Sequence, residues 1–220
     1  MMLGHTEVLH DEHAENDEAR DYLQRAYRVG ERATELVRQI LTFSRTHEQP
    51  RLTPTNITPI IKESLKMIRA TTPTNIDIRQ HIPTCCPSIL ADATQIHQML
   101  VNLCVNATHA MRRKGGTLDI SLEEVNDDGM QAHLPDVTTG SYLKLTVSDT
   151  GCGMTSEVQE HIFEPLFTTK DVDEGTGLGL SVVHGIIKGH HGAITVTSKQ
   201  DKGTTFQIVF PITDEIELQE

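Results

Sequence analysis

The sequence predicts an α+β fold, a two-layer α/β sandwich in which helices cover a mixed sheet, preceded by a long helix of a helical hairpin. Three observations predict it. Residues 17–46 repeat apolar or small side chains at alternating steps of four and three, through Tyr22, Ala26, Val29, Ala33, Leu36, Ile40 and Phe43. Segments at 76–82, 117–125, 142–149, 193–199 and 204–210 have the texture of strands. Segments at 93–113 and 178–188 are helical and lie among those strands instead of alternating regularly with them.

The elements follow in order. Asn16 or Asp17 caps the long helix and Pro50 closes the segment. Its stripe fits either one amphipathic helix lying on its own domain or a hairpin that dimerises. The second is favoured, because little nearby sequence is left for so long a stripe to cover. Met2 to about Glu12 would end a preceding antiparallel helix. Leu52 to Ile57, among prolines, reads as an edge strand and Ile60 to Arg69 as a helix. Ile76 to Ile82 alternates as a half-buried strand, and Pro87 to Ala91 is a short strand.

Ala93 to Arg113 is a strong helix, apolar at Ile96, Met99, Leu100, Leu103, Ala107, Ala110 and Met111, and ended by Gly115 and Gly116. A polar excursion through 126–141 joins the next two strands. The region from Met154 to about Thr176 is long and mixed, with one short helical piece. The final hairpin turns at Asp201, Lys202 and Gly203. The predicted division is 1–48 for a partial helical hairpin, 51–212 for the main domain and 213–220 for a tail.

A formal net charge of -12 argues against non-specific nucleic-acid binding. The four cysteines, Cys85, Cys86, Cys104 and Cys152, lack C-x-x-C spacing, which favours a reducing, cytoplasmic setting. No apolar run approaches the roughly 20 residues of a membrane span, and no secretory signal is visible, so no membrane contact is expected. Helical character begins at once after Met1, as in a fragment of a longer chain, and an upstream sensor or membrane segment stays open.

The chemistry concentrates in four places. Asn102 and Asn106 lie one turn apart on one helix face, where two amide oxygens can hold a hard cation. By themselves they could equally bond a neighbouring strand. Leu143, Leu145, Val147 and Asp149 alternate on one strand face, so the Asp149 carboxylate sits on the buried side and needs hydrogen-bond donors. An adenine amine would supply one, and Gly151 and Gly153 allow its close approach; alone, an ordinary turn-capping Asp fits as well. Gly175, Gly177, Leu178 and Gly179 run into a helix whose N-terminal N–H groups make an anion site. Between the glycine stretches, Phe163, Phe167 and Lys170 resemble a lid, with Lys170 able to reach a phosphate; a plain surface loop is the alternative.

Together these residues resemble the catalytic core of a sensor histidine kinase, in the superfamily shared with gyrase, Hsp90 and MutL. Asp92 to Met111 is similar to the family's N box, Asp149 to Met154 to the G1 box, Phe163 to Lys170 to the F box, and Gly175 to Leu180 to the G2 box. Gly203 to Phe206 resembles the last, adenine-side motif, and Arg32 to Arg45 the second helix of the dimerisation and phosphotransfer domain.

The resemblance implies a Bergerat-type ATP-binding fold and Mg2+ with ATP as cofactors. It implies Asn106 as metal ligand, Asp149 with Thr204 at the adenine, and Gly151, Gly153, Gly177 and Gly179 at the nucleotide. It further implies a homodimer through the N-terminal helices and a response-regulator receiver domain as partner.

ATP-hydrolysing relatives place a Glu where this chain has Asn102, and an amide cannot act as a general base toward water. That favours phosphoryl transfer to a His over hydrolysis, with a GHKL-type ATPase or regulatory module, or a Ser-directed kinase, as alternatives. His5, His10 and His13 lie past the expected acceptor position, so the acceptor His is expected upstream of Met1 and these three as solvated helix-end residues or, less simply, a metal site.

Overall fold

The computed structural model describes residues 22, 24–27, 29–30, 50–126, 140–169 and 175–213. The chain divides into two compact units, Met1–Arg45 and Thr46–Glu220. In the first, the described residues are helical, and Tyr22 and Val29 of the heptad stripe are exposed. The rest of that helix, the histidines at 5, 10 and 13, Lys170, most of the 126–141 excursion and nearly all of the tail lie outside the described residues.

The second unit holds β1 (Thr53–Thr55), α1 (Ile57–Thr71), β2 (Ile76–His81), β3 (Ile89–Ala91), α2 (Ala93–Met111), β4 (Gly116–Asn126), β5 (Ser141–Asp149), α3 (Ser156–His161), α4 (Gly179–Gly189), β6 (Ala193–Lys199) and β7 (Gly203–Pro211). Five strands form a sheet in the order β2-β4-β5-β7-β6. β2 runs parallel to β4, and the other pairs are antiparallel, which makes the sheet mixed as predicted. β1 and β3 form a separate antiparallel pair.

α2 lies on β4 and β5, flanked by α1 and α4. Its buried stripe of Ile96, Met99, Leu100, Leu103, Cys104, Ala107 and Met111 lies over the sheet face that buries Leu118 and Ile120 of β4 and Leu143, Leu145 and Val147 of β5, whose cross-strand partners Phe210, Ile208 and Phe206 of β7 continue that face. Each such aliphatic side chain contributes about 1.5–3 kcal/mol when fully removed from water. This layer is what fixes the height of α2 over the sheet, and hence the positions of Asn102 and Asn106.

Several boundaries differ from the sequence reading, mostly by one to three residues, and two of the shifts have a clear physical cause. Ile57 opens α1 instead of ending a strand, because Asn56 accepts the N–H of Thr58 at 2.9 Å as an N-cap and Ile57 is driven into the core. α2 ends at Met111, two residues early. Gly115, at φ +69°, bonds back to the Met111 carbonyl at 2.8 Å, which closes the helix in a left-handed turn.

Candidate nucleotide site

α2 presents a stripe at steps of four, Asn102, Asn106 and Ala110, which covers about 12 Å of helix at 1.5 Å per residue. Each member lies beside a glycine. Asn102 donates from Nδ2 to the Gly179 carbonyl at 3.4 Å, a long bond. The Asn106 Nδ2 lies 3.7 Å from where a β-carbon on Gly179 would stand. A β-carbon on Gly151 would approach that of Ala110 to 2.7 Å, and the Ala110 carbonyl accepts the Cys152 N–H at 3.2 Å. One helix face thus brings both glycine stretches together.

The Asp149 end of the site is built on the sheet. Asp149 closes the buried face of β5 behind Leu143, Leu145 and Val147, and is itself buried. It stands opposite Leu118 on one side and Thr204 on the other. Its Oδ1 accepts the Gly151 N–H at 2.8 Å. Burial pushes the carboxyl above its ordinary value, and the backbone N–H groups of Gly151 and Thr204 pull it partly back. Gly153, at φ +62°, turns the chain so closely over Lys199 that a side chain there would meet the Lys199 carbonyl.

The start of α4 is the third part. α1, α2 and α3 are capped by the side chains of Asn56, Asp92 and Thr155, whereas the N-cap of α4, Leu178, makes no side-chain capping bond. Its first-turn N–H groups therefore lack the side-chain oxygen that α1, α2 and α3 are given by their N-caps. Gly177, at φ +67°, precedes it, and its carbonyl accepts the Leu166 N–H at 3.0 Å. Gly175 is half-buried just before. The two lid aromatics are held by histidines: Phe163 stacks on His184 of α4 with centroids 5.1 Å apart, and Phe167 tilts against His161 of α3 at 5.6 Å. Burial and nearby Lys188 lower the His184 pKa, which suits a ring packed on an aromatic face.

Every described candidate falls into this one constellation, in two groups bridged by α2: Asp149, Gly151, Gly153 and Thr204 at the strand ends, and Asn102, Asn106, Gly175, Gly177, Leu178 and Gly179 at the helix start. Ser198 was not singled out from sequence. Its Oγ lies 2.9 Å from both the Met154 N–H and Thr204 Oγ1. The signal was present in the hairpin register, which sets Ser198 opposite Thr204 once the turn at 201–203 is known. His184 and His190 carried no such signal.

The family model for histidine kinase-, DNA gyrase B- and HSP90-like ATPases matches residues 91–214, which spans α2 through the last strand. The chain belongs to this family. Within it, the domain is of the histidine-kinase type and homologous to sensor histidine kinases. It is 39% identical over 182 residues to the sensor kinase CckA of Brucella abortus (strain 2308), covering 82% of this chain and 19% of CckA. It is 33% identical over 158 residues to the sensor histidine kinase ZraS of Escherichia coli (strain K12), covering 71% of this chain and 30% of ZraS. The chain thus spans less than a third of the length of these curated relatives.

Full-length ShkA, crystallised with AMPPNP, superposes with a TM-score of 0.68 at 25% identity, over 90% of this chain and 40% of ShkA. The nucleotide-free catalytic domain of the histidine kinase ThkA gives 0.56 at 29% identity, over 74% of this chain and 96% of that one. The sheet covered by helices is therefore the Bergerat-type ATP-binding fold. Among the described residues no helix is long and apolar enough to cross a membrane.

Proposed function

We propose that this chain is the ATP-binding catalytic region of a two-component sensor histidine kinase, spanning 51–212 and working with a dimerising helical arm within 1–48. The reaction is transfer of the γ-phosphoryl group of ATP to a histidine of the dimerisation domain, for relay to an aspartate of a response-regulator receiver domain. One observation carries it: the uncapped, glycine-led N-terminus of α4 stands against the Asn102 and Asn106 face of α2.

The residues present fit a magnesium nucleotide. A buried carboxylate with a raised pKa is an acceptor looking for a donor, and the adenine amine is one. Asp149 and Thr204 would hold the base edge. The N–H groups at the start of α4 would meet phosphate oxygens, favoured by the helix dipole. Asn106 would supply a neutral oxygen to Mg2+, which takes few protein ligands beside phosphates and water. When bound, the metal neutralises phosphate charge. Around it, the Leu166 N–H ties the 163–167 segment to Gly177 and Phe163 anchors it on His184; Lys170, outside the described residues, would serve as the lid cation. Asn102 offers no base to activate water, so transfer to a protein acceptor is the outcome its chemistry favours.

Incubation with γ-labelled ATP, Mg2+ and the dimerisation domain tests this. An acid-labile, histidine-linked label is expected. Steady-state phosphate release without any labelled protein would instead make the chain an ATPase of the same family.

A further inference from the structure

The strand row that carries Asp149 continues past Thr204. Asp149 pairs with Thr204 across β5 and β7, and Thr204 pairs with Ser198 across β7 and β6. Residues directly opposite in neighbouring strands share a face. Asp149 and Thr204 are both buried there.

Ser198 Oγ makes three contacts: the Met154 N–H at 2.9 Å, the Gly203 carbonyl at 3.0 Å and Thr204 Oγ1 at 2.9 Å. Their protons can be assigned from donor and acceptor chemistry alone. The Met154 N–H only donates. The Gly203 carbonyl only accepts, so it takes the single hydroxyl proton of Ser198. The third contact is then attractive only if Thr204 donates to Ser198. The opposite choice would set Ser198 Oγ and the Gly203 oxygen 3.0 Å apart with no proton between them. With its proton turned toward Ser198, Thr204 has only lone pairs left for any other neighbour. Beside it stands the Asp149 carboxylate, another acceptor.

We propose that Ser198 is a positioning residue that locks the Thr204 hydroxyl as an acceptor, so that the Asp149–Thr204 edge selects a purine carrying an exocyclic amine and rejects one carrying an oxo group. The proposal rests on the nucleotide reading above and names how that site chooses its base. An amine brings N–H donors to two acceptors. An oxo group at the same place brings a third acceptor and leaves buried groups unpaired. Removing the Ser198 hydroxyl frees Thr204 to rotate and donate to an oxo group, so discrimination falls even though Thr204 and Asp149 remain.

The test is calorimetric binding of Mg·ATP and Mg·ITP, the 6-oxo analogue, to the full chain. The wild type should prefer ATP. Ser198→Ala should lower the ratio of the two affinities by about tenfold, the loss expected when one buried hydrogen bond no longer discriminates. Ser198→Thr, which keeps the hydroxyl, should keep the ratio. In a Thr204→Val background, adding Ser198→Ala should leave the ratio unchanged, because the hydroxyl that Ser198 orients is gone. If Ser198→Ala does not fold by circular dichroism, Ser198→Cys, whose thiol is a poor acceptor, must show the lowered ratio in its place. A wild-type ratio in a folded, ATP-binding Ser198 variant lacking the hydroxyl overturns the proposal. Failure of the wild type to bind ATP at all overturns the nucleotide reading itself.

Discussion

His190 Nε2 accepts the backbone N–H of Asp92 at 3.0 Å, so the C-cap of α4 is tied to the N-cap of α2. Its Nδ1 meets the Ile186 carbonyl at 2.7 Å, and a carbonyl only accepts, so the proton sits on Nδ1 and the ring is neutral. Asp92 in turn caps α2 by accepting the N–H groups of Thr94 and Gln95. One buried imidazole therefore sets how the two site-bearing helices begin and end relative to one another.

This ring makes stability depend on pH. Burial depresses the His190 pKa below its ordinary value, with smaller opposing contributions from the Ile186 bond and the Asp92 charge. The unfolded chain takes up this proton at a higher pH than the fold does. The stability is thus fully present above the ordinary histidine value of about 6.5 and is lost as pH falls below it, by at most about 1.4 kcal/mol per pH unit. Thermal melts from pH 7.5 to 5 should show a shallower decline in His190→Gln than in the wild type. Parallel declines would remove His190 from the account.

Two glycines should respond in opposite directions. Gly177 is left-handed, and a β-carbon there would run into the Leu166 backbone. Gly177→Ala should cost about 1–3 kcal/mol of stability and loosen the hold on residues 163–167. Gly185 lies within α4, and a β-carbon added there would meet nothing within 4 Å. Gly185→Ala should stabilise by about 0.5–1 kcal/mol through lower unfolded-state entropy and better helix propensity. Denaturant titration of both variants checks the signs.

Much of this was legible because the patterns were local. The alternation ending at Asp149 put the carboxylate on the buried face, and the spacing of Asn102 and Asn106 put both on one side of α2. What stayed hidden depended on distant partners. Nothing near His190 in sequence announces that Asp92 will meet it, and nothing near Phe163 announces His184. The Ile57 boundary misread for a different reason. An apolar residue after threonines and a proline has strand texture, and only the Asn56 cap decides for helix.

Asn102 and Asn106 should separate by function. Asn106→Ala should weaken Mg·ATP binding by about tenfold or more, the loss expected for one ligand of a charged site, and should barely change binding measured in excess chelator. Asn102→Ala removes only a 3.4 Å bond to Gly179 and should weaken binding in both conditions by the same small factor. Titration calorimetry with and without Mg2+ reads the difference. Equal losses at both positions, with or without metal, would take the metal role away from Asn106.

Asp149→Asn should trade binding for stability. The raised pKa means that the ionised carboxylate is disfavoured by the fold, a cost that appears as pH rises through the folded value and persists at pH 7. An asparagine keeps one amide oxygen, with two lone pairs, for the Gly151 and Thr204 N–H groups, and it carries no charge to desolvate. The nucleotide-free variant should therefore melt no lower than the wild type at pH 7. Its affinity for ATP should fall by tenfold or more, on the order of 1.5–3 kcal/mol for a lost charged hydrogen bond. The wild type should also lose ATP affinity as acid protonates Asp149, beyond any loss the variant shows, because only the wild type has a proton to gain there. A lower melting temperature with unchanged ATP affinity would make Asp149 a structural turn residue instead of the base-binding carboxylate.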